Sequence, residues 1–157
     1  MNASIERDYA FCEEVIRKIS KSFYRAFSAL PRQKALSIFA IYAFCRKADD
    51  LADVQRDRRG LEAFQKTFES FKNGSTPDEP MWRALRHTAE HYPISLLPFD
   101  DMLTGQRMDL SFKQPSTQAD LEDYCYYVAG SVGLMILPVL SKHHRLLEQN
   151  AVDLGKA

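Results

Sequence analysis

The chain has 157 residues, 45% of them hydrophobic, and its 21 basic and 21 acidic side chains cancel to a formal net charge of zero. That length supports one buried core and is short for two ordinary domains, so a single domain over 1–157 is expected, and the balanced charge excludes a generally basic nucleic-acid-binding surface. Three cysteines, Cys12, Cys45 and Cys125, are odd in number and far apart, which excludes a disulfide framework and favours buried, reduced thiols in a cytoplasmic protein.

Helical spacing dominates the sequence and no segment alternates apolar and polar residues for long, so the fold class is all-α. The N-terminus lacks the basic-then-apolar order of a secretion signal. A first helix over about 4–31 starts with Ser4 as N-cap and carries Tyr9, Phe11, Cys12, Val15, Ile16, Ile19, Phe23 and Phe27 before stopping near Pro31. A second, over about 32–54, carries a very apolar stretch and then an acidic end. A third, near 60–71, places Leu61, Phe64, Phe68 and Phe71 on one face and ends at Asn73 and Gly74.

Turn formers crowd 73–80, which reads as a loop between helices, and 82–91 follows as a short helix stopped by Pro93. The segment 96–112 is helical, with Phe99, Met102, Leu103 and Met108 apolar. Thr117 and Asp120 form a capping pair that opens a helix running toward Pro138. A last helix starts near Ser141 and continues to Ala157. The near-apolar run 128–140 is expected to fall short of the ~20 residues needed to span a bilayer and to line a core or cavity instead. Peripheral contact with a membrane that holds a greasy substrate is compatible with this composition.

Four patterns carry candidate chemistry. Asp49 and Asp53 lie one helical turn apart behind the apolar stretch, where like charges repel by roughly 0.2–0.5 kcal/mol in water and by more beside an apolar wall. A hard divalent cation such as Mg2+ would relieve that repulsion and complete its shell with water and phosphate oxygens. Tyr42 and Arg46 fall on the same helical stripe; the alternative is a solvated helix end in which Arg46 or Lys47 pairs with Asp49 or Asp50. Ser20, Lys21 and Ser22 could meet a phosphate while Phe23 and Phe27 line an apolar tunnel, or they could form an ordinary exposed face with both phenylalanines in the core. Tyr124 precedes a run of small residues to Gly133, suited either to a proton relay beside a long hydrocarbon or to close helix packing. His87, Glu90 and His91 match H-x-x-E-H, a zinc-hydrolase pattern that still needs a third ligand, and His143 and His144 offer no diagnostic arrangement.

Taken in order, Ser20-Lys-Ser-Phe23, Ile41-Tyr-Ala-Phe-Cys-Arg-Lys-Ala-Asp-Asp-Leu-Ala-Asp53, Gly105-Gln-Arg-Met-Asp-Leu110 and Tyr124-Cys-Tyr-Tyr-Val-Ala-Gly-Ser-Val-Gly133 resemble the squalene/phytoene synthase family, and most of all its bacterial dehydrosqualene and phytoene synthases. The resemblance implies the N-terminal part of the isoprenoid synthase helical fold with a central cavity. It implies that Asp49 and Asp53 bind Mg2+, that Arg46, Ser20, Lys21 and Ser22 hold diphosphate, and that Tyr42 and Tyr124 flank the reacting carbons. Phe23, Phe27, Val128, Ala129, Val132 and Gly133 would line prenyl tunnels, and Asp109 would face the cavity.

The implied reaction is head-to-head condensation of two farnesyl or geranylgeranyl diphosphates through a cyclopropyl intermediate, in carotenoid biosynthesis. A second aspartate motif of the family is absent up to Ala157, so the chain alone is expected to be inactive or nearly so. It is also expected to self-associate through uncovered apolar faces on its second and sixth helices. A non-catalytic helical binding module is the competing reading, and a zinc hydrolase a weaker one.

Overall fold

The computed structural model describes residues 3–157, and every regular element among them is helical. Helix α1 (Ala3–Ile19) and α2 (Lys21–Ser28) replace the single first helix expected from periodicity. Ser4 lies inside the first turn of α1 and does not precede it. The break falls at Ser20, whose backbone is extended and whose hydroxyl accepts a hydrogen bond from the Phe23 N–H at 3.4 Å. A serine that caps the next helix cannot also continue the previous one, and the restart turns Phe23 and Phe27 away from the α1 stripe.

Helix α3 (Arg32–Asp49) runs on into a π turn (Asp50–Val54) that closes with Gln55 N–H donating to the Asp50 carbonyl, i to i+5, at 2.9 Å. Arg56, with a positive φ of 46°, then reverses the chain into α4 (Arg58–Lys72), capped by Asp57 through Gly60 N–H at 2.9 Å. Helix α5 (Pro80–His91) begins with proline in its first turn, where the missing N–H is harmless. Helix α6 (Leu97–Leu110) follows. The capping box at Thr117 and Asp120 opens α7 (Gln118–Cys125), as its spacing predicts.

Helix α7 continues through a second π turn (Tyr126–Gly130) into α8 (Ser131–Leu140), and Pro138 sits inside that last stretch without ending it. Lys34 caps the end of α8 by donating to the Leu140 carbonyl at 2.8 Å. The continuous rod Gln118–Leu140 has 23 residues and is long and apolar enough to cross a bilayer by length and composition, and its apolar run 128–140 lines a cavity as expected, through Val128, Val132 and Ile136. The rod packs against α3, α6 and the closing helix α9 (His144–Lys156).

The core lies where α1, α4, α5 and α6 meet α3. Phe44 is fully buried there, with ring centroids of Phe64, Phe68, Trp82 and Phe99 at 5.0, 5.2, 5.6 and 5.2 Å. Such pairs add about 0.5–1.5 kcal/mol each beyond area burial. The expectation of an uncovered second helix fails: 35–41 and Ala43, Phe44 and Ala48 are buried, because α1 and α5 cover one side of α3 while α6 and α8 cover the other. Buried Asp8 ties α1 to α5 by accepting from both Arg83 Nε and Nη2, at 2.9 and 2.7 Å. All three cysteines are free thiols, with Cys12 buried and Cys45 and Cys125 half-buried.

Candidate functional site

The side of α3 opposite the aromatic core borders a cavity of about 240 Å³ enclosed by α2, α6 and α8. Six of the sequence-predicted residues line it: Phe23 and Phe27 from α2, Tyr42 and Asp49 from α3, and Val128 and Val132 from the α7–α8 rod. The two phenylalanine rings stack at 6.0 Å. Ala129 and Gly133, together with Val132, border an adjoining apolar groove between α8 and α9. The cavity is therefore an apolar slot with one carboxylate in its wall.

That carboxylate is electrostatically uncomfortable. Burial pushes Asp49 up to about 6, the charge of Asp53 adds to the rise, and Arg46 together with a hydrogen bond from Gln106 opposes it. Gln106 Nε2 donates to Asp49 Oδ1 at 2.5 Å. Asp53 is exposed, one turn further on within the π turn. Two oxygen-donor carboxylates that repel each other at the lip of a slot fit a hard divalent cation. Arg46 is placed otherwise than the shared stripe suggests: its guanidinium forms an ion pair with Asp50, and it borders a separate pocket beside Trp82. The i,i+4 pairing with Asp50 wins over the i,i+3 approach to Asp49.

Tyr124 donates its hydroxyl proton to Asp109 Oδ1 at 2.6 Å, which joins α7 to α6. That hydrogen bond, burial and the charges of Asp109 and Asp53 push the phenol up to about 12, so it stays protonated at neutral pH. Neither Tyr124 nor Asp109 lines the slot, against the expectation that both flank it: Tyr124 borders a separate hollow with Met108, Phe112 and Asp120, although the charge of Asp53 is felt by both Asp49 and Tyr124. Ser20, Lys21 and Ser22 do not line the slot: Ser20 is the cap of α2, Ser22 is exposed, and Lys21 opens on a shallow basic hollow with Arg17, Lys18 and Arg25.

The zinc pattern is consumed by packing. Tyr9 hydroxyl bonds His87 Nδ1 at 2.9 Å, His91 Nδ1 bonds the His87 carbonyl at 2.7 Å, and among the described residues no group of three His, Cys, Asp or Glu side chains gathers around a metal position.

Two residues gained no role from the sequence. Gly105 lets α6 touch the rod, since a Cβ there would lie 2.9 Å from the Tyr127 carbonyl carbon and oxygen, and this contact brings Gln106 to Asp49. Gln106 itself is 5% exposed in the helix face that begins Phe99, Met102, Leu103. A lone amide at i+7 of an apolar stripe was the available signal.

The Squalene/phytoene synthase family profile matches residues 16–157. The chain is 39% identical over 142 residues to the 15-cis-phytoene synthase of Synechococcus elongatus, covering 88% of this chain and 46% of that protein. It is 32% identical over 143 residues to the 4,4'-diapophytoene synthase of Staphylococcus haemolyticus, covering 88% and 50%. A crystal structure of a dehydrosqualene synthase in complex with ligand superposes with a TM-score of 0.95 at 51% identity, over 97% of this chain and 54% of that one. The chain thus spans about half the length of the proteins it matches. With the profile covering all but the first turns of α1 and the fold reproduced over nearly every residue, the chain belongs to the squalene/phytoene synthase family.

Proposed function

We propose that this chain supplies the first cation and prenyl-chain half of a site that condenses two farnesyl or geranylgeranyl diphosphates head to head, giving dehydrosqualene or phytoene. The observation that carries the reading is Asp49, an acid held at the wall of an apolar slot against the repulsion of Asp53. Asp49 and Asp53 would hold Mg2+, which supplies Lewis-acid neutralisation of the charge on a departing diphosphate. Phe23, Phe27, Val128 and Val132 would pack the hydrocarbon and keep water from the allylic cation.

In the reaction, the allylic C–O bond of one substrate breaks and diphosphate leaves with the electron pair. The double bond of the second substrate attacks the cation, and a proton is lost as the cyclopropane closes. The second diphosphate then leaves, and rearrangement with loss of another proton gives a linear polyene with a conjugated triene at its centre, so two substrates yield one hydrocarbon, two diphosphates and two protons. Tyr124, a protonated phenol on Asp109, can orient diphosphate oxygen and pass a proton with Asp109 as its acceptor. Tyr42, two turns before Asp49 on the slot wall, would offer the face of an aromatic ring to a developing cation. A C30 or C40 product partitions into lipid, which supports work at the inner face of a membrane.

The test is binding of inorganic pyrophosphate to the 157-residue chain with and without Mg2+, alongside product analysis of the whole gene product with both prenyl diphosphates. Asp49→Ala or Asp53→Ala should weaken Mg2+-dependent binding by roughly 100-fold, the scale expected when a charged ligand of a hard cation is lost. Metal-independent binding, unchanged in both variants, would sink the reading in favour of a non-catalytic module.

A further inference from the structure

Gln106 holds a buried amide on the otherwise apolar buried face of α6, and only half of that amide is satisfied. Its Nε2 donates to Asp49 Oδ1 at 2.5 Å, whereas its Oε1 is buried and has no hydrogen-bond partner among the described residues. The orientation is forced by chemistry: an ionised carboxylate only accepts, so the NH2 end must face Asp49 and the carbonyl end must face away. An orphaned buried acceptor loses its hydration with nothing in return, and a methionine of nearly the same shape would carry no such penalty. Ile38, Ile41 and Met102, which line the same slot, show that its wall accepts apolar side chains without difficulty.

No donor among the described residues reaches that oxygen. Tyr42 and Cys45 share the slot, but the Cys45 thiol is directed at Met135 Sδ at 3.7 Å and no hydrogen bond joins Tyr42 to Gln106. Water carried into the slot with a divalent cation is a strong donor, because the cation polarises its O–H bonds. We propose that Gln106 is a positioning residue of the cation site: its amide N–H fixes Asp49, and its Oε1 accepts a hydrogen bond from hydration water that arrives with a divalent cation. A neutral amide does both without adding a third negative charge beside Asp49 and Asp53. The inference rests on reading those two aspartates as cation ligands.

The test uses the 157-residue chain with Mn2+ and inorganic pyrophosphate, free Mn2+ being followed by electron paramagnetic resonance and folding by thermal melts with and without the ions. Partners that orient metal ligands typically contribute 10–100-fold to affinity, so Gln106→Met should weaken Mn2+ binding by about 10-fold and shrink the ion-induced rise in melting temperature. Gln106→Glu loses the N–H that fixes Asp49 but keeps an acceptor oxygen and adds a charge that attracts the cation, so it is expected to bind Mn2+ within about threefold of the parent, while its repulsion of Asp49 lowers the metal-free melting temperature. A merely structural amide would make both variants lose stability with no separation in Mn2+ affinity.

Parent-like Mn2+ binding by Gln106→Met, with Asp49→Ala abolishing it, overturns the inference and leaves the aspartate reading standing. If Gln106→Met does not fold, Gln106→Glu decides: loss of Mn2+ as severe as in Asp49→Ala overturns the proposal. Absence of any Mn2+ binding that depends on Asp49 in the parent chain overturns both.

Discussion

Helix α3 divides the molecule into two unlike halves. Toward α1, α4 and α5 it presents Phe44 to a sealed aromatic cluster, where Asp8 pairs with Arg83 and Tyr9 with both His87 and Thr88, and where the small hydroxyl of Ser37 is left without a hydrogen-bond partner among the described residues. Toward α2, α6 and α8 it presents Tyr42, Cys45 and Asp49 to a slot, with a raised carboxylate and an unsatisfied amide oxygen. Close packing on one face supplies stability that the other face spends on unmatched charge. Strain of this kind persists only where the surrounding structure over-determines it, and it concentrates at functional sites.

The largest break in that contrast comes from the sealed side. Phe44→Ala should cost about 3–5 kcal/mol, measured by urea denaturation, because four aromatic neighbours lose their common partner and the rigid cluster cannot collapse into the void. Tyr42→Phe, two residues away on the slot side, should change stability by less than about 1 kcal/mol, since its half-buried ring remains and its hydroxyl has no hydrogen bond to lose. Equal losses in the two variants would erase the distinction between the faces.

Gly105→Ala sharpens the contrast at an intermediate scale. The added Cβ would press on Tyr127 backbone, which unlike a flexible side-chain tip cannot swing aside, so α6 must back away from the rod. Overpacking of this type costs about 1–3 kcal/mol. Because α6 also carries Gln106 and Asp109, the same shift should weaken Mg2+-dependent pyrophosphate binding by severalfold. A Gly105→Ala chain with lowered urea midpoint but parent-like pyrophosphate binding would show that the slot tolerates movement of this wall.

The two halves were also unequally legible. The phenylalanine stripe of α4, the loop over 73–80 and the capping box at Thr117 are local patterns, and each stands where its spacing puts it. Asp49 and Asp53 were equally visible, because the π turn begins at Asp50 and leaves them one turn apart. The break at Ser20 was not, since a serine inside a periodic stripe caps or continues a helix according to a competition that periodicity does not record. Nor was the reach of Arg46, whose stripe position lies between Asp49 and Asp50 and is settled by side-chain geometry. Gln106 became meaningful only when α6 crossed α3, a contact between residues 57 apart in sequence.

The smallest predicted effect follows from Asp49 alone. Its carboxyl is raised in the fold from 3.8 to about 6, so between those values the folded chain binds a proton that the unfolded chain has released. The contribution of this group to stability is therefore fully lost as pH rises through about 6 and recovered as pH falls toward 4, opposite in sign to a salt-bridged aspartate. Solvent screening at the slot mouth limits the effect to about 1 kcal/mol. Asp49→Asn removes the titration, so melts of the metal-free variant should lose this component of the pH 5 to 7 slope and lie slightly above the parent at pH 7. Mg2+ with pyrophosphate should flatten the parent's slope in the same window, because a cation keeps Asp49 ionised in the folded state. Identical slopes for parent and Asp49→Asn without metal would mean that Asp49 is solvated as freely as an ordinary surface acid, and the electrostatic tension attributed to the slot would be gone.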